Sequence, residues 1–147
     1  LTVPRELSMR DGKLCQQPAH EIERMRGDCV RTTGGETVEE PGRLFDLVVS
    51  CEGAKMVELE IRKGVFVRYA DGMLTLDMGD EGYGRDQRSI ELGELRDLRV
   101  LSDTTMVEIF ANGGEAALTS RTYSSAVPAM ALHAEGAASM DFYRLAH

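Results

Sequence analysis

The chain has 147 residues, with 17 Lys or Arg against 25 Asp or Glu, and its formal net charge is −8. This acidity argues against nucleic acid or an anionic membrane as a partner, because both bind cationic surfaces. No apolar run approaches the roughly 20 residues that a bilayer-spanning helix needs, so we expect a soluble chain. A chain of this length predicts a single domain over residues 1–147.

The first 12 residues contain Pro4 and Gly12 and are typical of an extended connecting segment. The Asp11-Gly12 pair predicts a tight turn into a short strand at residues 13–17. Arg5 and Glu6 are neighbours in this segment. They indicate either a solvated ion pair or a contact with another domain, and the sequence leaves both open.

Pro18 stands where helices often begin, and Ile22 and Met25 follow at a helical interval. We therefore expect one or two helical turns ending at Gly27. His20 lies in this segment without a second His or Cys at ligand spacing, which favours a surface side chain over a metal ligand. Residues 27–42 are rich in Gly, Thr and Glu and predict irregular structure with one edge strand at 29–33.

From Leu44 onward, apolar and polar residues alternate with a period of two, which is typical of strands with one buried face. The predicted strands cover residues 44–51, 56–62, 65–70, 73–78, 90–92, 130–134 and 139–145, with short Gly-containing turns between several of them. Many short strands and almost no helix predict an all-β fold. We expect a two-sheet antiparallel β-sandwich, jelly-roll-like, with at most one short helix.

Residues 98–123 carry two further turns, at 102–105 and at Asn112-Gly113-Gly114, and so predict a three-strand antiparallel meander. In its middle strand Glu108 and Phe110 point away from the apolar face. Glu108 needs a partner, and an arginine such as Arg121 across the hairpin could provide one. Asp103 is expected to accept backbone N–H bonds within its own turn. A structural role is therefore the preferred interpretation of both acids.

Cys15, Cys29 and Cys51 are odd in number and have no Cys-x-x-Cys spacing, which argues against a disulfide framework or a zinc site. Reduced and mostly buried thiols are expected, which favours the cytoplasm.

Other side chains could suggest ligand binding. An acidic group around a glycine-containing loop could indicate calcium, but the EF-hand alternation of oxygen ligands is absent and a solvated loop is favoured. Its members are Asp77, Asp80, Glu81 and Asp86. The tyrosines could stack on a sugar, although core or edge packing is the expected fate of each, with Tyr83 the most exposed. They are Tyr69, Tyr83, Tyr123 and Tyr143.

Three segments carry a family resemblance. Ser-Asp-Thr-Thr-Met-Val-Glu-Ile-Phe-Ala-Asn-Gly-Gly-Glu at 102–115, followed by Leu-Thr-Ser-Arg-Thr-Tyr at 118–123, resembles the signature in the C-terminal β-sandwich of the family 32 glycoside hydrolases, the β-fructofuranosidases. Leu-Thr-Val-Pro-Arg-Glu-Leu-Ser at 1–8 is similar to the segment by which those enzymes enter that domain. Gly-Tyr-Gly-Arg-Asp-Gln-Arg-Ser at 82–89 resembles a loop of the bacterial sucrose-6-phosphate hydrolase branch.

The resemblance implies that the catalytic carboxylates belong to a separate N-terminal five-bladed propeller. That domain holds them in Trp-Met-Asn-Asp-Pro-Asn-Gly, Arg-Asp-Pro and Glu-Cys motifs. This chain has no Trp, its Arg85-Asp86 and Arg96-Asp97 lack the following Pro, and its Cys51-Glu52 runs in the reverse order. We therefore expect no catalytic, cofactor-binding or metal-binding residue here and no activity of the chain alone. Phe142 or Tyr143 is expected in place of a Trp often found in the last strand.

By the same resemblance, the parent protein would hydrolyse sucrose or sucrose 6-phosphate with retention. The module would pack on and stabilise the propeller or mediate subunit contacts, including those of a homodimer. The alternative is a carbohydrate-binding module that recruits fructan.

Overall fold

The computed structural model describes residues 4–79 and 87–145, and these ranges fold as an antiparallel β-sandwich. The predicted all-β, two-sheet class is confirmed. The strands are β1 (Arg5–Arg10), β2 (Lys13–Pro18), β3 (Arg26–Thr33), β4 (Thr37–Glu39), β5 (Phe45–Ser50), β6 (Met56–Arg62), β7 (Val65–Ala70), β8 (Met73–Asp77), β9 (Gln87–Glu91), β10 (Asp97–Ser102), β11 (Met106–Ala111), β12 (Ala116–Arg121), β13 (Ala129–Glu135) and β14 (Ser139–Leu145).

Two six-stranded sheets form the body of the domain. Sheet I has the order β12-β11-β10-β5-β14-β3, and sheet II has the order β4-β13-β6-β7-β8-β9. Alternate apolar residues of the strands meet between the sheets, as the period of two predicts. Fully buried Leu47 and Val100 belong to sheet I, and Leu59 and Leu76 belong to sheet II.

The β1–β2 hairpin stands apart from both sheets. Its two strands pair with each other from Arg5 opposite Pro18 to Arg10 opposite Lys13, and in the described ranges they join neither sheet. The Asp11-Gly12 turn has φ values of 52° and 78°, which suit a two-residue hairpin whose strands twist to the right. The predicted turn and second strand are confirmed.

The predicted helix is shorter and tighter than expected. It is a 3₁₀ helix over His20–Met25, and Pro18 is the last residue of β2 rather than the first of a helix. The segment 27–42, expected to hold one edge strand, contains two, because β4 follows β3. The meander β10-β11-β12 is confirmed.

Candidate functional site: the outer face of sheet I and the hairpin

Glu108 lies on the outer face of β11 and is almost completely buried. Arg5, on the hairpin, covers it. Its Nη2 donates to Glu108 Oε1 at 2.7 Å and to Thr119 Oγ1 at 2.6 Å, and its guanidinium lies 5.1 Å from the centre of the Phe110 ring. Glu108 therefore has the ionic partner that its position requires.

The partner is an arginine, as expected, but it is Arg5 and not the suggested Arg121. In the β11–β12 register, Glu108 is opposite Thr119, and Arg121 is opposite Met106 at the end of the strand, where it is exposed. Arg5 is 103 residues away in sequence, so only the folded hairpin brings it to this face. Arg5 is therefore paired with Glu108, whereas its neighbour Glu6 lies 2.7 Å from His20 Nδ1.

The hairpin is fastened to the turn between β11 and β12. Gln17 Nε2 donates to the Gly113 carbonyl at 2.7 Å. Gly114 has φ of +95°, and a Cβ there would lie 2.0 Å from the carbonyl oxygen of Gln16. The predicted left-handed turn at Asn112-Gly113-Gly114 is confirmed, and it has a second role: Gly114 lets the backbone of β2 approach the sandwich.

Three large apolar side chains project from the hairpin. Leu7 and Met9 alternate along β1, and Leu14 is the partner of Met9 in β2, so all three lie on one face. Their side chains are 66%, 68% and 54% exposed. We call this surface the apolar hairpin face. In the described ranges the other exposed large apolar side chains, Met25 and Tyr123, lie outside the hairpin.

A second carboxylate, that of Asp46 in β5, is fully buried on the same side of sheet I. Arg26 Nε donates to its Oδ2 at 2.7 Å. Arg99 donates from Nε to Oδ1 at 3.0 Å and from Nη2 to Oδ2 at 2.8 Å. The sequence analysis assigned no role to Asp46. A charge on the outward side of a central strand, between valines and leucines, is the signal that could have identified it.

A pocket of about 260 Å³ lies between the hairpin, the 3₁₀ helix and sheet I. Arg99 and Phe110 of the sheet line it, together with Gln17 of β2 and Glu23 of the helix. It offers both hydrogen-bond donors and acceptors, which is the chemistry that sugar hydroxyls require.

Arg62, the last residue of β6, is a buried cation that the sequence did not reveal. Its Nε and Nη2 donate to the Ser124 carbonyl, its Nη1 to Ser102 Oγ and the Asp103 carbonyl, and its Nη2 also to the Thr104 carbonyl. Burial lowers the pKa of Arg62 to about 10, so it remains protonated at neutral pH. The guanidinium therefore joins the end of sheet II to a turn of sheet I.

The acids that the sequence singled out occupy structural positions. Asp103 Oδ1 accepts the backbone N–H of Thr104, as predicted. Asp77 accepts from Arg68 Nη1 and, at 3.0 Å, from the N–H of Gly79. Burial raises the pKa of Asp77, but these donors more than offset it and the pKa is lowered overall. Asp80, Glu81 and Asp86 of the calcium hypothesis lie outside the described residues.

His20 is on the surface, as predicted, and the structure adds two acidic neighbours. Its Nδ1 lies 2.7 Å from Glu6 Oε1, and its Nε2 lies 3.4 Å from Glu21 Oε1. Ligand atoms of the three residues lie within 4.8 Å of one another. A glycosidase holds one of two carboxyl groups protonated by burial. Glu6 and Glu21 are each more than half exposed, so this pair lacks that environment.

The tyrosines divide by environment. Tyr69 is buried and donates its hydroxyl to the Gly93 carbonyl, and Tyr143 is half-buried with Arg26 4.2 Å from its ring centre. Tyr123 is 54% exposed, in contrast to the expected packing. Tyr83 lies outside the described residues.

Of the two residues expected in place of a Trp, Phe142 belongs to the core and Tyr143 is half-buried. The Phe142 ring is fully buried and its centre lies 5.3 Å from that of Phe45. The two rings belong to the neighbouring strands β14 and β5 of sheet I and pack against each other in the core.

The cysteines are free thiols. Cys15 and Cys51 are buried and Cys29 is exposed, which agrees with the prediction of reduced, mostly buried thiols. Burial raises the pKa of Cys51 to about 11. Within the described residues, no helix has the length and apolar character needed to cross a membrane.

Comparison with known proteins places the chain in a family. Residues 53–145 match the family described as glycosyl hydrolases family 32 C terminal. The chain is 38% identical over 144 residues to raffinose invertase of Escherichia coli, with 86% of this chain and 29% of the relative covered. It is 30% identical to sucrose-6-phosphate hydrolase of Salmonella typhimurium over 132 residues, covering 84% of this chain and 26% of the relative.

Solved structures support the same fold. Sucrose-6-phosphate hydrolase from Lactobacillus gasseri superimposes with a TM-score of 0.81 at 20% identity, over 97% of this chain and 33% of that one. An exo-inulinase from Aspergillus awamori gives a TM-score of 0.76 at 19% identity, over 99% of this chain and 35% of that one. This chain thus spans about a quarter to a third of the length of these proteins. It belongs to the C-terminal domain family of the family 32 glycosyl hydrolases.

Proposed function

We propose that this chain is the non-catalytic C-terminal module of a β-fructofuranosidase. The parent would hydrolyse sucrose or sucrose 6-phosphate with retention, in the cytoplasm, with carboxylates carried by an N-terminal five-bladed propeller. The names of the relatives, raffinose invertase and sucrose-6-phosphate hydrolase, support this substrate class. The module packs on the propeller and stabilises it.

The observation that carries the proposal is the Arg5–Glu108 contact. Glu108 is the acid of the resemblance signature that faces away from the core, where a substrate could reach a catalytic group. It is buried beneath the hairpin and bound to a guanidinium at 2.7 Å. An ion-paired and covered carboxylate can neither attack a sugar nor hold a proton for its leaving group.

The other buried carboxylate of this face, Asp46, is enclosed in the same way by two arginines. A retaining glycosidase needs two carboxyl groups about 5–5.5 Å apart on either side of one sugar bond. Both buried acids of this face are instead held by cations. Their arrangement favours a scaffold over a catalytic centre.

Activity measurements test the proposal. The isolated chain should release no fructose from sucrose or sucrose 6-phosphate, whereas the full-length parent should hydrolyse at least one of them. Glu108→Gln in the parent should leave kcat within about twofold of wild type, because Glu108 has no role in the reaction. Hydrolysis by the isolated chain that Glu108→Gln abolishes would overturn the proposal.

Stability measurements test the packing role separately. A parent protein truncated before Leu1 should keep its catalytic motifs but unfold at a lower temperature than the full-length protein. Equal Tm values for the two would refute a stabilising role of this module.

A carbohydrate-binding module is the second candidate. The pocket of about 260 Å³ with polar walls and the exposed ring of Tyr123 favour it. Calorimetric titration of the chain with sucrose, fructose 6-phosphate and a fructan tests it. Millimolar or tighter binding that is lost in Gln17→Ala or Tyr123→Ala would establish sugar recognition, and the absence of heat with all three sugars would exclude it.

Subunit contact is a third role of the same module. Light scattering of the isolated chain distinguishes it from simple domain packing, because a stable dimer at micromolar concentration would indicate a homodimer interface within these 147 residues.

A further inference from the structure

A second pocket, of about 340 Å³, lies at one end of the sandwich. Its walls are the segment 40–44 between β4 and β5, the turn after β10 at Thr104, and the end of β14 at Arg144 and Leu145. These segments meet because β5 pairs antiparallel with both β10 and β14, which brings the start of β5 beside the ends of the other two. Sites for small ligands have volumes of roughly 300–1,000 Å³, so the pocket has room for a small ligand.

Two arginines, Arg43 and Arg144, line the pocket. Arg144 Nη2 donates to the carbonyls of Glu39 at 2.8 Å and Glu40 at 2.9 Å, which fixes its guanidinium against the chain that follows β4. In the part of the chain that the structure describes, Arg144 Nε and Nη1 make no hydrogen bond, and Arg43 makes neither a hydrogen bond nor an ion pair. Guanidinium groups bind oxyanions through paired N–H donors, so two of them at one cavity favour an anionic ligand.

A third cation, the fully buried guanidinium of Arg62, lies behind the wall of this pocket. Its Nη2 donates at 3.0 Å to the carbonyl of Thr104, which lines the pocket. The acceptors that it contacts are neutral, one hydroxyl and three backbone carbonyls, whereas buried charges are usually paired with an opposite charge. Burial and, to a smaller degree, the positive charge of Arg43 lower the pKa of Arg62. The two cations are therefore close enough to repel each other.

The acids of this region offset these cations only in part. Glu40 is the acid among the described residues that line the pocket, and it is exposed. Asp103 accepts a backbone N–H within its own turn, and Glu39 accepts at 2.9 Å from the Thr37 hydroxyl. The pocket therefore has two arginines and one acid in its walls and a buried cation behind them, on a domain whose formal net charge is −8. A concave surface with a surplus of positive charge attracts anions.

We propose that this pocket binds a phosphate group, held between the guanidinium groups of Arg43 and Arg144 with the hydroxyl of Thr104 as a further donor. A phosphate group offers acceptor oxygens in several directions, and it has a charge of about −1.5 to −2 at pH 7, which would balance the surplus. Inorganic phosphate and a sugar phosphate share this chemistry. The site is independent of the proposed function, because it involves no reacting group.

Calorimetric titration and NMR of this 147-residue chain test the site, with inorganic phosphate, fructose 6-phosphate and fructose as probes. Arg43→Gln and Arg144→Gln each remove one guanidinium from the pocket. The matched control is Arg24→Gln, which removes the same charge from an exposed arginine of the 3₁₀ helix. Shifts of the Thr104 N–H signal and of the arginine Nε–H signals locate the bound ligand.

We expect inorganic phosphate and fructose 6-phosphate to bind with millimolar or tighter affinity, and fructose not to bind. Arg43→Gln should raise the Kd for both phosphates at least tenfold, because a charge-assisted contact is lost. The control should leave Kd within about twofold of wild type. Arg43 is exposed and makes no hydrogen bond in the described ranges, so its replacement should not change Tm. Arg144→Gln should also weaken binding; if it lowers Tm by losing its bonds to carbonyls, Arg43→Gln alone decides.

The two phosphates distinguish the possible ligands. If inorganic phosphate binds at least as tightly as fructose 6-phosphate, the pocket recognises the phosphate group alone; if fructose 6-phosphate binds more tightly, the ligand is a sugar phosphate. Both results support the proposal. It is overturned if neither phosphate binds, if Arg43→Gln leaves binding unchanged, or if fructose binds as tightly as its 6-phosphate. A fructose 6-phosphate signal that is lost in Gln17→Ala and kept in Arg43→Gln belongs to the pocket beside the hairpin, and it would also contradict the proposal.

Discussion

Replacing Asp46 by Asn should destabilise the chain more than any other change to a single charged group on sheet I. The carboxylate is fully buried and accepts three N–H bonds from Arg26 and Arg99. An amide whose oxygen takes the position of Oδ2 keeps two of the three bonds, but it turns an NH₂ group toward Arg99 Nε, so the third bond is lost together with the negative charge that both guanidinium groups face.

The magnitude follows from the kind of bond. A hydrogen bond to a charged group contributes about 1.5–3 kcal/mol, and breaking a buried ion pair by removing one partner costs about 3–5 kcal/mol. We expect Asp46→Asn to lower the free energy of unfolding by about 4 kcal/mol. At roughly 2–4 °C per kcal/mol for a domain near this size, Tm should fall by roughly 10 °C.

Urea denaturation followed by circular dichroism gives the measurement, and Asp141→Asn is the matched control. Asp141 also belongs to sheet I and also accepts two bonds from one arginine, Arg31. The side chains of Arg31 and Asp141 are 72% and 25% exposed, so this pair should contribute no more than about 1 kcal/mol. A loss for Asp46→Asn as small as that for Asp141→Asn would refute the reasoning that burial makes the difference.

Two further predictions concern titratable groups. At pH 8 a thiol reagent should label Cys29 quickly, and it should label Cys15 and Cys51 only after unfolding. Cys15 and Cys51 are buried, and the pKa of Cys51 is raised to about 11. Rapid labelling of all three thiols in the native chain would contradict this prediction. The pKa of His20 is raised above 6.5, chiefly by its hydrogen bond to Glu6, so its contribution to stability is present below pH 6.5 and is lost as the pH rises through the folded-state value. Proton NMR should show that Glu6→Gln lowers this pKa, and an unchanged value would exclude the contact.

The strands were predictable where the information is local. The strands β5 to β8 are marked by their own apolar–polar alternation, and the turns at Asp71-Gly72 and Asn112-Gly113-Gly114 directly adjoin the strands that they connect. The ends of these strands were therefore predicted to within one or two residues. The short strand β4 was not predicted, because three residues in a Gly- and Thr-rich segment are too few to show a period of two.

The partners of the charged residues were not predictable. Glu108 was recognised as an acid that needs a cation, but Arg121, the arginine suggested across the hairpin, is not the one that binds it. Arg5 reaches Glu108 across 103 residues, and Arg62 reaches the Ser124 carbonyl across 62. Such contacts depend on how elements pack, and periodicity contains no information about that.

The positions of the buried carboxylates relate the fold to the proposed non-catalytic role. Glu108 and Asp46 are both neutralised from within the chain, by Arg5 and by Arg26 with Arg99. The Arg5–Glu108 pair joins the hairpin to sheet I, and the pairs of Arg26 and Arg99 with Asp46 join β3 and β10 to β5 within that sheet. Both carboxylates are therefore buried and held by guanidinium groups, which leaves neither of them accessible to a substrate. The hairpin that Arg5 anchors presents Leu7, Met9 and Leu14 to solvent, and an apolar surface of this kind favours association over chemistry.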